Sequence, residues 1–162
     1  LLQDSKRLKM SQTKYAVIGV VALAFVFGFI FFSTNSMNSL TSNTMIDVPK
    51  NPIHWHPHLK IIIDGKDIEI PEGIGLGSVH DPVHTHDNTG EIHLEFERPT
   101  AQQMVLGYFF KVWDKKFNKD CIFDYCSDKG VLKMTVNGNE NNDFENYPMK
   151  DGDQIIISYT SK

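Results

Sequence analysis

Two patterns of apolar and polar residues divide the chain near residue 32. Residues 15–32, YAVIGVVALAFVFGFIFF, form a run of 18 residues without a charged side chain. This run is near the lower limit for a helix that spans a bilayer, and it is longer than the apolar core of a typical signal peptide. After residue 53, apolar residues recur in short alternating runs that are typical of β-strands. The sequence therefore predicts a transmembrane helix followed by a separately folded domain.

Alternation predicts a first β-hairpin over residues 54–70. Asp64-Gly65 is a strong signal for a type I′ turn, and Pro71 ends the return strand. Because side chains alternate between strand faces, the histidines at positions 54, 56 and 58 are expected on the face opposite the apolar one. The apolar face consists of Trp55, Leu59, Ile61 and Ile63. The glycine-rich segment 73–77 has neither a following helix nor a lysine, so it is interpreted as a connection and not as a phosphate-binding loop.

Later elements set the predicted fold class. A second hairpin is expected over residues 83–97, then a helix that begins at Thr100, where Gln103 completes a capping box. Two strands follow, at 131–136 and 154–159. This order predicts an α+β fold, a mostly antiparallel sheet of β-hairpins covered by one helix, with a β-grasp-like ββαββ portion. A β-sandwich or barrel with one helix is the alternative. The apolar face of the helix consists of Leu106, Phe109, Phe110, Trp113 and Phe117.

Charged residues around the apolar run predict its orientation. Four basic residues precede the run, and no Lys or Arg follows it until Lys50, which places the N-terminus in the cytoplasm and the later residues outside. Residues 1–32 contain four basic and one acidic residue, a net charge of +3, whereas residues 33–162 contain twelve and nineteen, a net charge of −7. We therefore expect a single-pass cell-membrane protein whose acidic outer domain does not bind nucleic acid.

The predicted domain organisation follows from this division. Residues 1–14 are expected to be a cytoplasmic tail, with Met10 as a typical natural start, and residues 15–32 a signal anchor in contact with membrane lipid. Residues 33–48 are rich in Ser, Thr and Asn and are expected to be a flexible linker. Residues 49–162 are expected to be the extracytoplasmic domain. A cleaved signal peptide or a buried core helix is the alternative for the anchor.

All seven histidines of the chain lie between residues 54 and 93. Neutral imidazole is the commonest metal ligand among side chains, and several imidazoles from neighbouring strand faces are typical of a copper, zinc or nickel site. The spacing predicts a metal site in which His80 takes no part. The predicted ligands are His54, His56, His58, His84, His86 and His93.

The second hairpin is the strongest local indication of a metal site. If residues 87–90 form its loop, His84 lies opposite His93, and His86 lies opposite Glu91. Glu95 then shares their face, so that imidazoles and carboxylates meet in one patch. Asp87, Glu91 and Glu95 are the predicted auxiliary or second-shell residues, and the first hairpin is expected to supply a further ligand, His56 or His58.

Cys121 and Cys126 are the two cysteines of the chain. Outside the cell, two cysteines this close in sequence are usually paired, so a disulfide is predicted. A redox or metal role would need CxxC spacing or additional cysteines.

Several of these motifs together resemble an uncharacterised family of secreted or membrane-anchored proteins from archaea, including ammonia-oxidising archaea, and bacteria. The resemblance covers about residues 53–160 and rests on HWHPHLKIIIDGKDIEIPEGIGL, VHTHDNTGEIHLE, LGYFFKVW and TVNG. It implies that the six predicted histidine ligands match the family's histidines. It implies no activity.

These observations predict a membrane-anchored extracytoplasmic metal-binding protein. Copper is the preferred ion, because an all-histidine set outside the cell suits Cu(II), and zinc is the alternative, particularly if a glutamate joins. The expected role is to hold or deliver metal, or to act as an accessory subunit of a membrane copper enzyme such as an ammonia monooxygenase-type complex. A mononuclear metal-dependent hydrolase or oxidase, with Asp87 or Glu91 as base, is the enzymatic alternative, although neither HExxH nor a Ser-His-Asp motif is present. A purely structural module is the third hypothesis.

Overall fold

The structure, a computed structural model, describes residues 46–162. These residues belong to one compact unit, Met45–Lys162. The predicted tail at 1–14, the anchor at 15–32 and all but the end of the predicted linker lie outside the described residues. No helix within residues 46–162 is long and apolar enough to cross a membrane.

The described residues form three β-sheets. The strands are β1 (Ile53–Trp55), β2 (His58–Ile63), β3 (Lys66–Ile68), β4 (Val83–His84), β5 (His93–Phe96), β6 (Phe117–Asn118), β7 (Cys121–Ile122), β8 (Tyr125–Cys126), β9 (Gly130–Val136), β10 (Asn139–Glu140) and β11 (Gln154–Ser161). The largest sheet has five strands in the order β10-β9-β11-β2-β3, a second has the order β1-β5-β4, and a third has the order β6-β7-β8. All strand pairs are antiparallel except β2 with β11, which pair in parallel.

The α+β prediction is wrong, because the domain is mostly β. Strand accounts for 39% and helix for 12% of the described structure. The predicted long helix is in fact two short helices, α1 (Ala101–Met104) and α2 (Leu106–Val112). A separate 3-10 turn lies later in the chain, at Phe144–Asn146. Val105 separates the helices with an extended backbone, φ −82° and ψ 148°, and it bridges to Pro148. The apolar periodicity therefore describes a buried face and not one continuous helix.

The first predicted hairpin exists in part. Its turn is confirmed, since Asp64 and Gly65 both have positive φ, 50° and 76°, and join β2 to β3. The first strand, however, is interrupted at Pro57, whose nitrogen cannot donate to a β-ladder. Strand β1 pairs with β5, whereas β2 pairs with β3 and β11. The three histidines expected on one strand face are therefore separated: His54 lies in the three-stranded sheet, His58 in the five-stranded sheet, and His56 in the link between them.

One hydrophobic core joins the sheets and helices. Leu59 and Ile61 come from the five-stranded sheet, Leu94 from β5, and Phe109 and Phe110 from α2; each is at most 1% exposed. The aromatic residues of α2 thus pack in the core, as their spacing predicted. Because β5 contributes Leu94 to this core, its alternate residues His93 and Glu95 project from the other face.

The disulfide between Cys121 and Cys126 is confirmed. The two residues lie directly opposite each other in the antiparallel β7–β8 pair. The bond joins two strands of the small third sheet, whose strands the sequence did not predict. Phe117, which was expected on the helix face, lies in strand β6 of this sheet.

Candidate metal centre

The candidate metal centre is built on the three-stranded sheet. Its central strand, β5, carries His93 and Glu95, and it has β4 on one side and β1 on the other. His84 of β4 is paired with His93, as predicted from the hairpin pattern. His54 of β1 is paired with Glu95. Alternation along three neighbouring strands therefore gathers these four side chains on one face.

Four residues form the first group of candidate ligands, which we call the β4 cluster: His84, His86, His93 and Glu95. One ligand atom from each lies within 4.8 Å of those of the others. The Nε2 atoms of His84 and His86 are 3.1 Å apart. Glu95 Oε1 lies 3.9 Å from His84 Nε2 and 3.5 Å from His93 Nδ1. This cluster could hold a metal ion.

A second group, the β1 pair, consists of His54 and His56. Together with His93, these residues also offer ligand atoms within 4.8 Å of one another. The ring centroids of His56 and His93 are 4.7 Å apart, and those of His54 and His93 are 6.0 Å apart. His54 Nε2 is 3.0 Å from Glu95 Oε1. His93 and Glu95 therefore lie between the two histidine pairs.

A hydrogen-bond network orients His84. Its Nδ1–H donates to the main-chain carbonyl of Asp81 over 3.0 Å, which leaves the lone pair on Nε2 directed towards His86. The Asp81 carboxylate in turn accepts hydrogen bonds from Val83 N at 2.9 Å and from the Tyr108 hydroxyl at 3.1 Å. Burial, and then the bond to Asp81, raise the pKa of Tyr108, so its hydroxyl remains a donor. Helix α2 thus supports the metal centre through one loop residue.

Two imidazoles are kept neutral by their surroundings. Burial lowers the pKa of His84, with nearby His86 adding to the effect. Burial also lowers the pKa of His93. The positive charges that His86, His56 and His84 can carry lower it further. A neutral imidazole has the lone pair that a metal requires. Both rings are therefore in the binding form at neutral pH.

His93 Nδ1 is a buried nitrogen that no hydrogen-bond partner within residues 46–162 reaches. Its separation of 3.5 Å from Glu95 Oε1 satisfies an ion-pair distance but not hydrogen-bond geometry. Buried polar atoms are nearly always satisfied in folded proteins, and an exception calls for a cause such as a bound ion. Its position between two histidine pairs suits a metal ligand.

Other predicted site residues lie apart from the clusters. His58 belongs to β2 and bridges to Glu91, beside a groove of about 390 Å³ that Lys60 and Asp67 also line. The Asp87 carboxylate accepts hydrogen bonds from the Thr89 hydroxyl and main-chain N–H at 2.6 and 2.9 Å, and these bonds lower the pKa of Asp87.

Two further residues stand beside or away from the clusters. Glu91 Oε1 lies 3.3 Å from His93 Nε2, at the margin of the β4 cluster. His80 is exposed, and its main chain bridges to Leu76.

Sequence reasoning did not identify Asp81, Tyr108 or Asp151. Asp151 Oδ1 accepts a hydrogen bond from the main chain of His56 at 2.8 Å and lies 3.8 Å from its Nδ1. Asp81 had a local signal, since it stands three residues before a histidine, a spacing that permits a side chain to return to the main chain. Tyr108 and Asp151 had none, because their proximity depends on tertiary packing.

No protein-family model, curated protein or solved structure matches the chain. A metal centre is therefore inferred from the chemistry and placement of the residues themselves.

Proposed function

We propose that this chain is a membrane-anchored extracytoplasmic protein that binds a divalent transition metal, Cu(II) in the first place. The observation that carries the proposal is the convergence of His84, His86, His93 and Glu95, whose ligand atoms lie within 4.8 Å of one another.

Spacing within the β4 cluster suits coordination. Two nitrogens bound to one ion at about 2.0–2.1 Å, with angles of about 90–110°, are about 2.9–3.4 Å apart. The separation of 3.1 Å between the Nε2 atoms of His84 and His86 falls in that interval. Glu95 Oε1 lies 3.9 Å from His84 Nε2 and 3.5 Å from His93 Nδ1, so these two residues could complete a four-ligand set.

Ligand chemistry favours Cu(II), with Zn(II) as the alternative. Imidazoles bind both ions, and the affinity order of divalent metals puts copper above zinc at a given site. The carboxylate of Glu95 is an oxygen ligand that zinc sites also use. Cu(I) is disfavoured because thioethers are its usual partners, and the methionines among residues 46–162 are buried in the core, at most 2% exposed: Met104, Met134 and Met149.

The cellular role that fits best is metal holding or delivery outside the cytoplasm. The Cys121–Cys126 disulfide supports an oxidising compartment, and the apolar run at 15–32 with its basic flank supports an anchor. By analogy with the ammonia-oxidising archaea in which similar sequences occur, an accessory subunit of a membrane copper enzyme, such as an ammonia monooxygenase-type complex, is the partner-bound form of this proposal.

One observation favours a second candidate, a mononuclear hydrolase or oxidase. Catalysis would need a base beside the ion, and Glu91 Oε1 stands 3.3 Å from His93 Nε2. Asp87 is held by Thr89 and is less suited to this task.

The experiment is a titration of Cu(II) and Zn(II), each against a competing chelator, into the full-length chain and three variants. His84→Ala and His86→Ala should each lose the ion held by the β4 cluster, because each removes one of its four candidate ligands. His80→Ala is the matched control and should bind like the unmodified chain. Equal binding by all three variants would mean that the cluster is not a metal site.

A further inference from the structure

Two histidine pairs lie at the face of the three-stranded sheet, one on each side of β5. His84 and His86 lie on one side of β5, and His54 and His56 lie on the other; within each pair the ring centroids are 4.7 Å apart. The proposed single-ion function uses only the β4 cluster. The β1 pair has the same chemistry and spacing, and it still faces the shared residues of β5.

Glu95 stands between the two pairs. Its Oε1 atom is 3.0 Å from His54 Nε2 on one side and 3.9 Å from His84 Nε2 on the other. His93 is similarly central, with ring centroids 4.7 Å from His56 and 4.5 Å from His86. A carboxylate has two oxygens and can bind one ion with each, whereas an imidazole must lose its second ring proton to do so. Glu95 is therefore the better bridge.

We propose that the site binds two metal ions, one at the β4 cluster and one at His54 and His56, with the Glu95 carboxylate between them. This inference rests on the proposed metal-binding function and adds a second metal position. His93 binds one of the two ions through one nitrogen and keeps its proton on the other.

Charge around the centre suits two divalent cations. Besides Glu95, Glu91 Oε1 lies 3.3 Å from His93 Nε2 and Asp151 Oδ1 lies 3.8 Å from His56 Nδ1. Three carboxylates thus offset part of the repulsion between the ions. Two ions that share a bridging oxygen group are typically about 3.5–4 Å apart. This separation fits the space between β1 and β4, which have the single strand β5 between them.

The test counts Cu(II) ions bound to the full-length chain and measures their electron paramagnetic resonance. The unmodified chain should bind two Cu(II), and the second equivalent should produce dipolar broadening and a half-field transition, since two unpaired spins are then close together. The double variant His54→Gln, His56→Gln should bind one Cu(II) with the spectrum of an isolated ion. Glutamine is used because it retains bulk and hydrogen bonding, and thermal melting of each variant verifies folding.

Two further variants sharpen the result. Glu95→Gln should weaken binding of the second Cu(II) by about tenfold or more, because the bridging carboxylate is lost. His58→Gln is the matched control, since it is a neighbouring histidine outside both groups, and it should still bind two ions.

The outcomes separate this inference from the proposed function. One ion in the unmodified chain, with undiminished binding in the double variant, overturns the second position and leaves the proposed function intact. One ion whose binding is weakened by the double variant also overturns it, because all the histidines would then serve a single ion. Loss of an ion in His58→Gln would place the second position elsewhere. No bound ion in the unmodified chain would overturn both.

Discussion

The His84 imidazole is held by its neighbours in the form that binds a metal. Its Nδ1–H is taken by the Asp81 carbonyl, so the Nε2 lone pair is the one left for coordination. His93 contributes a buried nitrogen that is not satisfied by any hydrogen bond within the described residues. The surroundings of His84 and His93 thus favour the form in which each could bind a metal ion. They lead to one prediction on the support of His84 and to another on pH.

Tyr108→Phe removes the hydroxyl that fixes Asp81, and it should weaken metal binding without unfolding the domain. We expect a loss of affinity of about tenfold, the lower end for residues that orient a ligand, and a loss of about 1 kcal/mol of stability from one hydrogen bond. Metal titration and thermal melting measure the two effects. Tyr125→Phe is the matched control, because Tyr125 is 41% exposed and distant from Asp81. A similar metal affinity in both variants would show that Tyr108 does not help to orient the His84 ligand.

Stability of the metal-free protein should decrease as the pH falls below about 6.5, the ordinary histidine value. Burial lowers the pKa of His84 and of His93 in the folded state, so the unfolded chain takes up protons first. Stability therefore rises with pH in the window between the lowered folded values and about 6.5, and it is constant above that window.

Chemical denaturation of the metal-free full-length chain at a series of pH values between about 5 and 8, the range in which histidine titrates, measures how the free energy of unfolding changes with pH. The variant His93→Gln should have a shallower slope than the unmodified chain. An identical slope would show that His93 is not the titrating group. Metal affinity should decrease over the same range, because protons compete for the ring nitrogens.

At the scale of elements, the site depends on where strands end. Pro57 interrupts the first strand, so that β1 can join the three-stranded sheet while β2 joins the five-stranded sheet. The loop that follows His86 then packs on β2, where the Gly90 carbonyl accepts a hydrogen bond from Leu59 N at 2.8 Å. With the bond from Ile92 N to the Pro57 carbonyl at 2.9 Å, this contact ties the histidine hairpin to the start of β2.

Gly90→Ala should loosen that contact and destabilise the domain. Gly90 has φ +88°, and a methyl group there would overlap the Leu59 carbonyl oxygen. Gly65→Ala is the matched control, because Gly65 has φ +76° but nothing within 4 Å of an added methyl. The control should lose about 1–2 kcal/mol from the left-handed backbone alone. Gly90→Ala should lose about 1–3 kcal/mol more from steric overlap, and equal losses in denaturant unfolding would refute the packing argument.

Local signals explain what the sequence could predict of these elements. Asp64-Gly65 specified its turn, and the loop at 87–90 specified the register of His84 opposite His93. The break at Val105 had no local signal, since it depends on a bridge to Pro148. Periodicity showed which residues are buried, but tertiary contacts decided where the helix stopped. The fold-class prediction failed because short strands, including β6 at Phe117, make the domain mostly β.

At the scale of the whole molecule, distant segments complete the site. Parallel pairing of β2 with β11 brings Asp151 to His56, across 95 positions of sequence. No hairpin rule relates two strands so far apart, because parallel pairing requires a long connection between them. The sequence could therefore indicate the candidate histidine ligands of both pairs. It could not indicate that His58 lies apart from them, because that depends on the strand order of the folded domain.

Placement of the domain in the cell can be tested with its two cysteines. The basic residues before the apolar run at 15–32 predict that the domain lies outside the cytoplasm, where the Cys121–Cys126 disulfide would persist. Because the chain contains no other cysteine, thiol labelling reports on this pair alone. A membrane-impermeant maleimide should label intact cells only after treatment with a reductant. Labelling without reduction would contradict the disulfide in the cell, and labelling that requires lysis would place the domain on the cytoplasmic side. The Cys121→Ser, Cys126→Ser variant is the control and should remain unlabelled, which ties the signal to the domain that carries the histidines.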